Sequence, residues 1–161
     1  MDIAEILSTD RIRCAVPVGS KKRALEKVSE LVASAQTDLN QGEIFESLLA
    51  RERLGSTALG HGIALPHGRV EGIDRTVGAF ISLSEGVDFD ALDGQPVDLL
   101  FALIVPPDAT EEHLQLLAGL AEMLSDQDLR SALRQARSSE ELYSLLNRWE
   151  SAPSAQTVNN R

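Results

Sequence analysis

The chain has 161 residues, 43% hydrophobic but only 4% aromatic, with 15 basic against 25 acidic side chains and a net charge of -10. This length fits one domain that buries roughly two-thirds of its unfolded surface; the charge repels phosphate backbones and anionic membranes, and so few rings leave little on which bases or sugars could stack. No nucleic acid and no membrane insertion are expected, and the acidic surface suits encounter with a small basic protein or a basic patch on a larger one.

The opening "MDIAEILSTD" has no basic start, long apolar stretch or small-residue cleavage site and does not read as a signal peptide. Cys14, the single cysteine, cannot form an intrachain disulfide and reads as a small buried apolar residue in "RIRCAVPV". A cytoplasmic protein is expected. The spacing in "SKKRALEKVSELVASA" places Leu25, Val28, Leu31 and Val32 on one stripe, with Ser20 as N-cap, and predicts an amphipathic helix. A second helix, "NQGEIFESLLARERLG", turns Ile44, Phe45, Leu48 and Leu49 inward, ends at Gly55 and carries Arg51 and Arg53 in its last turn.

Beyond a glycine-rich stretch, "RTVGAFISL" and "PVDLLFALIV" have strand character, the latter apolar on both faces as a central strand covered by helices would be. Its run "LLFALIV" is far short of the ~20 residues a spanning helix needs. The intervening "SEGVDFDALDGQP" reads as turns around a short strand. Three helices follow, "TEEHLQLLAGLAEMLS", "DQDLRSALRQA" and "SSEELYSLLNRWE", each opening near a Ser, Thr or Asp cap. Helices and strands that do not alternate strictly point to an α/β sandwich with a mixed sheet. Residues 1–150 are expected to form a single domain, and 151–161, without apolar periodicity, a disordered tail.

The stretch "GHGIALPHGR" holds two of the three histidines. Three chemistries could use them. A metal would need His61, His67 and His113 to converge, but the six-residue step in "HGIALPH" is no familiar ligand spacing and no cysteine can join. A general acid or base usually works beside a nucleophile or orienting carboxylate, and no G-x-S-x-G element accompanies these histidines. Histidine as a phosphoryl nucleophile asks for a fixed imidazole and donors for the phosphoryl oxygens. Pro66 fixes its own φ, Gly68 lets the backbone approach a ligand, and glycines 55, 60 and 62 permit amides to turn toward an anion. His113 falls in the first turn of a helix capped by Asp108 or Thr110, where an anion is favoured, and Arg51 supplies a guanidinium suited to phosphate.

The run "LLARERLGSTALGHGIALPHGR", followed by "QPVDLLFALIVPPDATEEHLQLLAGLA", resembles the IIA domain of the bacterial phosphoenolpyruvate-dependent phosphotransferase system, of fructose and mannitol type and its nitrogen-regulatory branch, from "DIAEIL" to about Trp149. The resemblance implies a mixed, largely parallel five-stranded sheet flanked by helices on both sides. It also implies a phosphoryl relay from a nitrogen-type HPr-like carrier without a cofactor or metal. His67 matches the phosphorylated histidine of the "PHG" motif, Arg51 the active-site arginine and His113 the second histidine. Two positions depart from the pattern: Ala58 stands where glycine is common, and His61 where a small polar residue is usual, which would let His61 modify the pKa of the site or attract a metal.

The function this implies is a regulatory phosphocarrier that accepts a phosphoryl group on His67 and controls targets bound mainly by its unphosphorylated form. A docking target would cover an apolar rim expected at Ile63, Leu65 and Val70. The alternatives are the IIA component of a sugar permease, passing phosphate to a IIB domain, and a non-catalytic binding module. The absence of attached IIB, IIC or HPr segments favours regulation.

Overall fold

The computed structural model describes residues 2–35 and 38–149; the tail expected over 151–161 lies outside the described residues. Among these, six strands and five α-helices follow in the order β1 (Ile12–Val16), α1 (Lys21–Ala35), α2 (Gln41–Arg53), β2 (Ala58–Gly60), β3 (Ile63–Ala64), β4 (His67–Arg69), β5 (Val77–Val87), β6 (Val97–Val105), α3 (Glu111–Leu124), α4 (Gln127–Gln135) and α5 (Ser139–Arg148). No helix among the described residues is long and apolar enough to cross a membrane.

The sheet is mixed. Its order is β1-β5-β6-β3-β2, with β4 also paired to β6. Strand β6 runs antiparallel to β5 and parallel to both β3 and β4, and β1 lies parallel to β5. The six strands fill the five expected positions because β3 and β4 lie end to end along one edge of β6, Ile63 opposite Leu99 and His67 opposite Leu103.

Strand β6 organises both cores. Leu100, Ala102 and Ile104 pack on one side with Leu25, Val28 and Ile44 of α1 and α2. Leu99, Phe101, Leu103 and Val105 pack on the other with Leu120, Met123 and Leu133 of α3 and α4. Side chains alternate across a strand, so a central strand covered on both faces must be apolar throughout. Each such burial is worth about 1.5–3 kcal/mol.

Side-chain caps start most helices. Asn40 Oδ1 accepts from the Glu43 amide at 3.0 Å, Asp126 Oδ1 from Leu129 at 3.1 Å and Ser138 Oγ from Glu141 at 3.0 Å. Ser20 Oγ accepts from the Arg23 amide at 3.2 Å. Thr110 occupies the N-cap of α3 without such a bond.

The segment read as turns around a short strand is different. Residues 84–87 continue β5 and 88–96 contain no strand, because Val87 pairs with Val97 and extends the antiparallel arm. Strand β1 carried no sequence signal: its alternation breaks where Ala15 adopts φ +55° and the register with β5 shifts between Arg13 and Val16. Cys14 is half-buried, its thiol donating to the Ala136 carbonyl at 3.1 Å.

Gly68 has a reason other than ligand approach. Helix α2 crosses directly over it, so that an added Cβ would meet Ser47 Oγ and lie 3.1 Å from the Ser47 backbone; Ser47 Oγ in turn donates to the Arg69 carbonyl at 2.8 Å. Gly68→Ala should therefore cost about 1–3 kcal/mol by overpacking, read from the urea midpoint, with part of the loss recovered when Ser47→Ala is added. A Gly68→Ala variant as stable as the parent would show that α2 does not bear on β4.

Candidate functional site

His67 is the first residue of β4 and sits opposite Leu103. Neighbours across a parallel ladder share a face, so His67 points where Leu103 points, toward α3. Gly68, opposite Ile104, faces α2. Arg69, opposite Val105, returns to the α3 side and donates through Nη1 to the carbonyls of Pro107 at 3.0 Å and of Ala109. These bonds tie the loop that begins α3 to the strand carrying His67.

That tie brings His113 to His67. The two rings lie 5.4 Å apart between centroids, tilted by 54°. His113 is buried, and its Nδ1 is a buried side-chain atom without a hydrogen-bond partner among the described residues. His67 is half-buried, with Nδ1 2.8 Å from the Leu65 carbonyl oxygen. A carbonyl oxygen only accepts, so the proton sits on Nδ1 and Nε2 keeps a free lone pair.

Burial and neighbouring positive charge disfavour protonation of both rings. Burial pushes His67 below the ordinary histidine pKa; the Leu65 carbonyl and Glu52 oppose this, while Arg51 and Arg69 add to it. Burial likewise lowers His113, reinforced by His67 and then Arg69. Arg51, in the last turn of α2, is held by a bond from Nη1 to the Gly55 carbonyl at 2.8 Å. It lines a shallow pocket with Ser56, Thr57, His67 and Leu117. The site can thus present a neutral nucleophilic nitrogen beside a guanidinium and a second imidazole, a combination suited to an anionic phosphoryl group.

Sequence reasoning missed the support beneath this pocket. Glu52 is buried on α2 and accepts from the Thr57 amide at 2.9 Å and the Thr57 hydroxyl at 2.7 Å. Lys21 Nζ lies 3.1 Å from the same carboxylate and 5.0 Å from the Phe89 ring centroid. The only available signal was a carboxylate at a position of α2 that packs inward; Arg69 carried no signal of its own.

Three expectations need correction. His61 does not adjoin His67: it occupies the β2–β3 turn, its amide donating to Asp93 at 2.9 Å and its carbonyl accepting from Arg134 at 2.6 Å. That turn lies beside Asp98, five positions from Leu103 along β6 and hence about 16 Å away. Gly60 and Gly62, with φ +94° and +81°, shape this distant turn rather than an anion cradle. Finally, Ile63, Leu65 and Val70 are buried in the cores and form no rim; the apolar surface near His67 is made by Ala58, Leu59, Leu117, Ala118 and Ala121 instead. Among the described residues no three His, Cys, Asp or Glu side chains gather as a metal site would require.

Residues 5–149 match the family model described as "Phosphoenolpyruvate-dependent sugar phosphotransferase system, EIIA 2". The chain is 50% identical over 144 residues to a nitrogen regulatory protein of Pseudomonas aeruginosa, covering 89% of this chain and 94% of that one. It is similar to the crystal structure of nitrogen regulatory protein IIA-Ntr from Neisseria meningitidis, with TM-score 0.84, 46% identity and coverage of 89% and 98%. It is also similar to IIA mannitol from Escherichia coli, with TM-score 0.72, 27% identity and coverage of 87% and 98%. These neighbours share the mixed sheet and its flanking helices.

Because both imidazoles titrate below their unfolded value, the unfolded chain takes up protons first as pH falls through about 6.5, and stability falls with it. The urea midpoint should drop between about pH 7.5 and pH 5.5 more steeply in the parent than in a His67→Gln/His113→Gln variant. Parallel slopes would mean that neither ring is held neutral by the fold.

Proposed function

The chain belongs to the EIIA 2 family of the phosphoenolpyruvate-dependent sugar phosphotransferase system, a phosphoryl-transfer family, and from that premise we propose that it is a regulatory phosphocarrier of the cytoplasm whose acceptor is His67. The observation that carries this reading is the 2.8 Å bond from His67 Nδ1 to the Leu65 carbonyl. It leaves Nε2 as the nucleophile. The donor in this reading is a phosphohistidine on a nitrogen-type HPr-like carrier. The Nε2 lone pair attacks phosphorus, the carrier's N–P bond breaks with its electron pair returning to the carrier's ring, and an Nε2–P bond forms on His67. As that bond forms the His67 ring gains positive charge, and its Nδ1–H bond to Leu65 becomes charge-assisted and stronger. His113, 5.4 Å away between ring centroids, supplies a donor to the phosphoryl oxygens, and Arg51 supplies the cation that helps to orient the incoming group.

Regulation follows from the surface around the site. Leu59, nearly half exposed, joins Ala58, Leu117, Ala118 and Ala121 beside His67. A target docked on such a rim desolvates His67. That is tolerable for a neutral imidazole and costly once phosphorylation adds about -1.5 to -2 charges. The unmodified protein is then the form that binds regulatory targets, and phosphorylation releases them. The likeness to a mannitol IIA keeps a second reading in play, in which the phosphoryl group passes on to a IIB domain of a sugar permease.

His67→Ala should abolish acid-labile, base-stable labelling by a phosphorylated carrier, and label persisting there would refute the assignment. His113→Ala and Arg51→Ala should each slow transfer ~10² to 10³-fold in a folded protein; unchanged rates in both would remove these roles. In a pull-down, the parent and His67→Ala should retain a target that His67→Glu releases. A partner engaged only by the phosphorylated form, and found to be a IIB domain that takes the label, would favour the permease reading.

A further inference from the structure

A continuous chain of hydrogen bonds runs from α2 to the ring of His67. Thr57 donates its amide to Glu52 Oε2 at 2.9 Å and its hydroxyl to Oε1 at 2.7 Å. The Leu65 amide donates to the Thr57 carbonyl at 3.1 Å, and the Leu65 carbonyl accepts from His67 Nδ1 at 2.8 Å. Both Glu52 and Thr57 are only 5% exposed. We infer that Glu52 is a positioning residue for His67, holding through Thr57 and Leu65 the carbonyl that selects the Nδ1–H tautomer.

The neighbouring backbone is also tied to β6, where the Leu103 amide donates to the Pro66 carbonyl at 2.9 Å, but the Leu65 amide itself is held by Thr57. Pro66 separates Leu65 from His67 and has no N–H, so the Leu65 amide is the last main-chain donor before the histidine. Its acceptor, Thr57, adds one rung to the β2–β3 ladder, in which Ala58 pairs with Ala64. Thr57 is fixed in turn by a carboxylate that accepts from both its amide and its hydroxyl. Glu52 accepts at both oxygens, with Lys21 Nζ also 3.1 Å from Oε2. A glutamine there could keep both Thr57 bonds, because the hydroxyl also accepts, whereas a methionine of similar shape offers neither carboxylate acceptor. Loosening Thr57 loosens Leu65, and a displaced Leu65 carbonyl no longer excludes the tautomer protonated on Nε2. That tautomer has no lone pair on the reacting nitrogen. Lys21 offsets the buried charge at Oε2 and also meets Asp90 at 3.2 Å.

The test uses the full chain. In long-range proton–nitrogen correlation spectra of the nitrogen-15-labelled protein at about pH 8, where unperturbed histidines are neutral, His67 of the parent should show the single Nδ1–H pattern. Glu52→Met, which removes both acceptors, should bring in the Nε2–H pattern at His67 and leave that of His61 unchanged. Its labelling by a phosphorylated carrier should slow by about threefold to tenfold, the worth of one hydrogen bond, with the half-saturating carrier concentration unchanged. Thr57→Val, which removes only the hydroxyl bond, should shift both readouts the same way by less, and Thr57→Ser should restore the parent's behaviour. A folded Glu52→Met with the parent's pattern and rate would overturn the inference. Should that variant fail to fold, Thr57→Val decides in its place, and parental spectra there overturn it equally. The rate comparison rests on the phosphocarrier reading and the tautomer comparison does not: a parent that accepts no phosphoryl group would sink that reading while the spectra still judge Glu52.

Discussion

The parity of β4 against β6 is the constraint from which the site follows. Leu103 belongs to the core under α3 and α4, while Ile104 belongs to the core under α1 and α2. With His67 opposite Leu103 and Gly68 opposite Ile104, the histidine must face α3 and the glycine must lie under α2. A slip of one residue would exchange them, turning an imidazole into Ser47 and leaving a glycine beside His113. The double burial of β6 fixes which core each of its residues faces, so the faces of β4 are set by its register against β6.

The same parity explains the company that His67 keeps. Arg69 shares its face and reaches the carbonyls of Pro107 and Ala109, so the strand that carries one histidine also anchors the loop that delivers the other. Burial and two arginines then act together to depress protonation of His67. A ring kept neutral, with its proton committed to Leu65, is a better nucleophile than an imidazolium, which has no lone pair to offer. In the phosphocarrier reading proposed above, the cationic surroundings serve twice, keeping His67 neutral before transfer and favouring the anion afterwards.

Beneath the site, polar burial is concentrated in one cluster. Glu52, Thr57 and Lys21 satisfy one another between α2, the 55–58 loop and α1. Buried charges of this kind contribute little net stability, but removing one partner is costly because the other is left unpaired. Their effect is to hold the short segment between α2 and His67, which has little regular structure of its own, to a single conformation.

Local pattern carried much of this protein. The periodicity of α1, α2 and the three C-terminal helices, the two-sided apolar run of β6 and the motif around His67 are all legible because each is set by neighbours within a few residues. The resemblance drawn from that motif led to the family that residues 5–149 match. What the sequence could not carry depended on register. Strand β1 is interrupted at Ala15, and β2, β3 and β4 are two or three residues each, too short for a period to show; only pairing with β6 or with one another defines them. Ile63, Leu65 and Val70, expected at the rim, are buried, because burial depends on which face a pleat presents and not on residue type. Likewise His61 and His67, six positions apart, are carried to different ends of β6 by a glycine turn. Glu52 stands at an inward position of α2, but the partners that make it structural come from residues 21 and 57 and meet only in the folded chain.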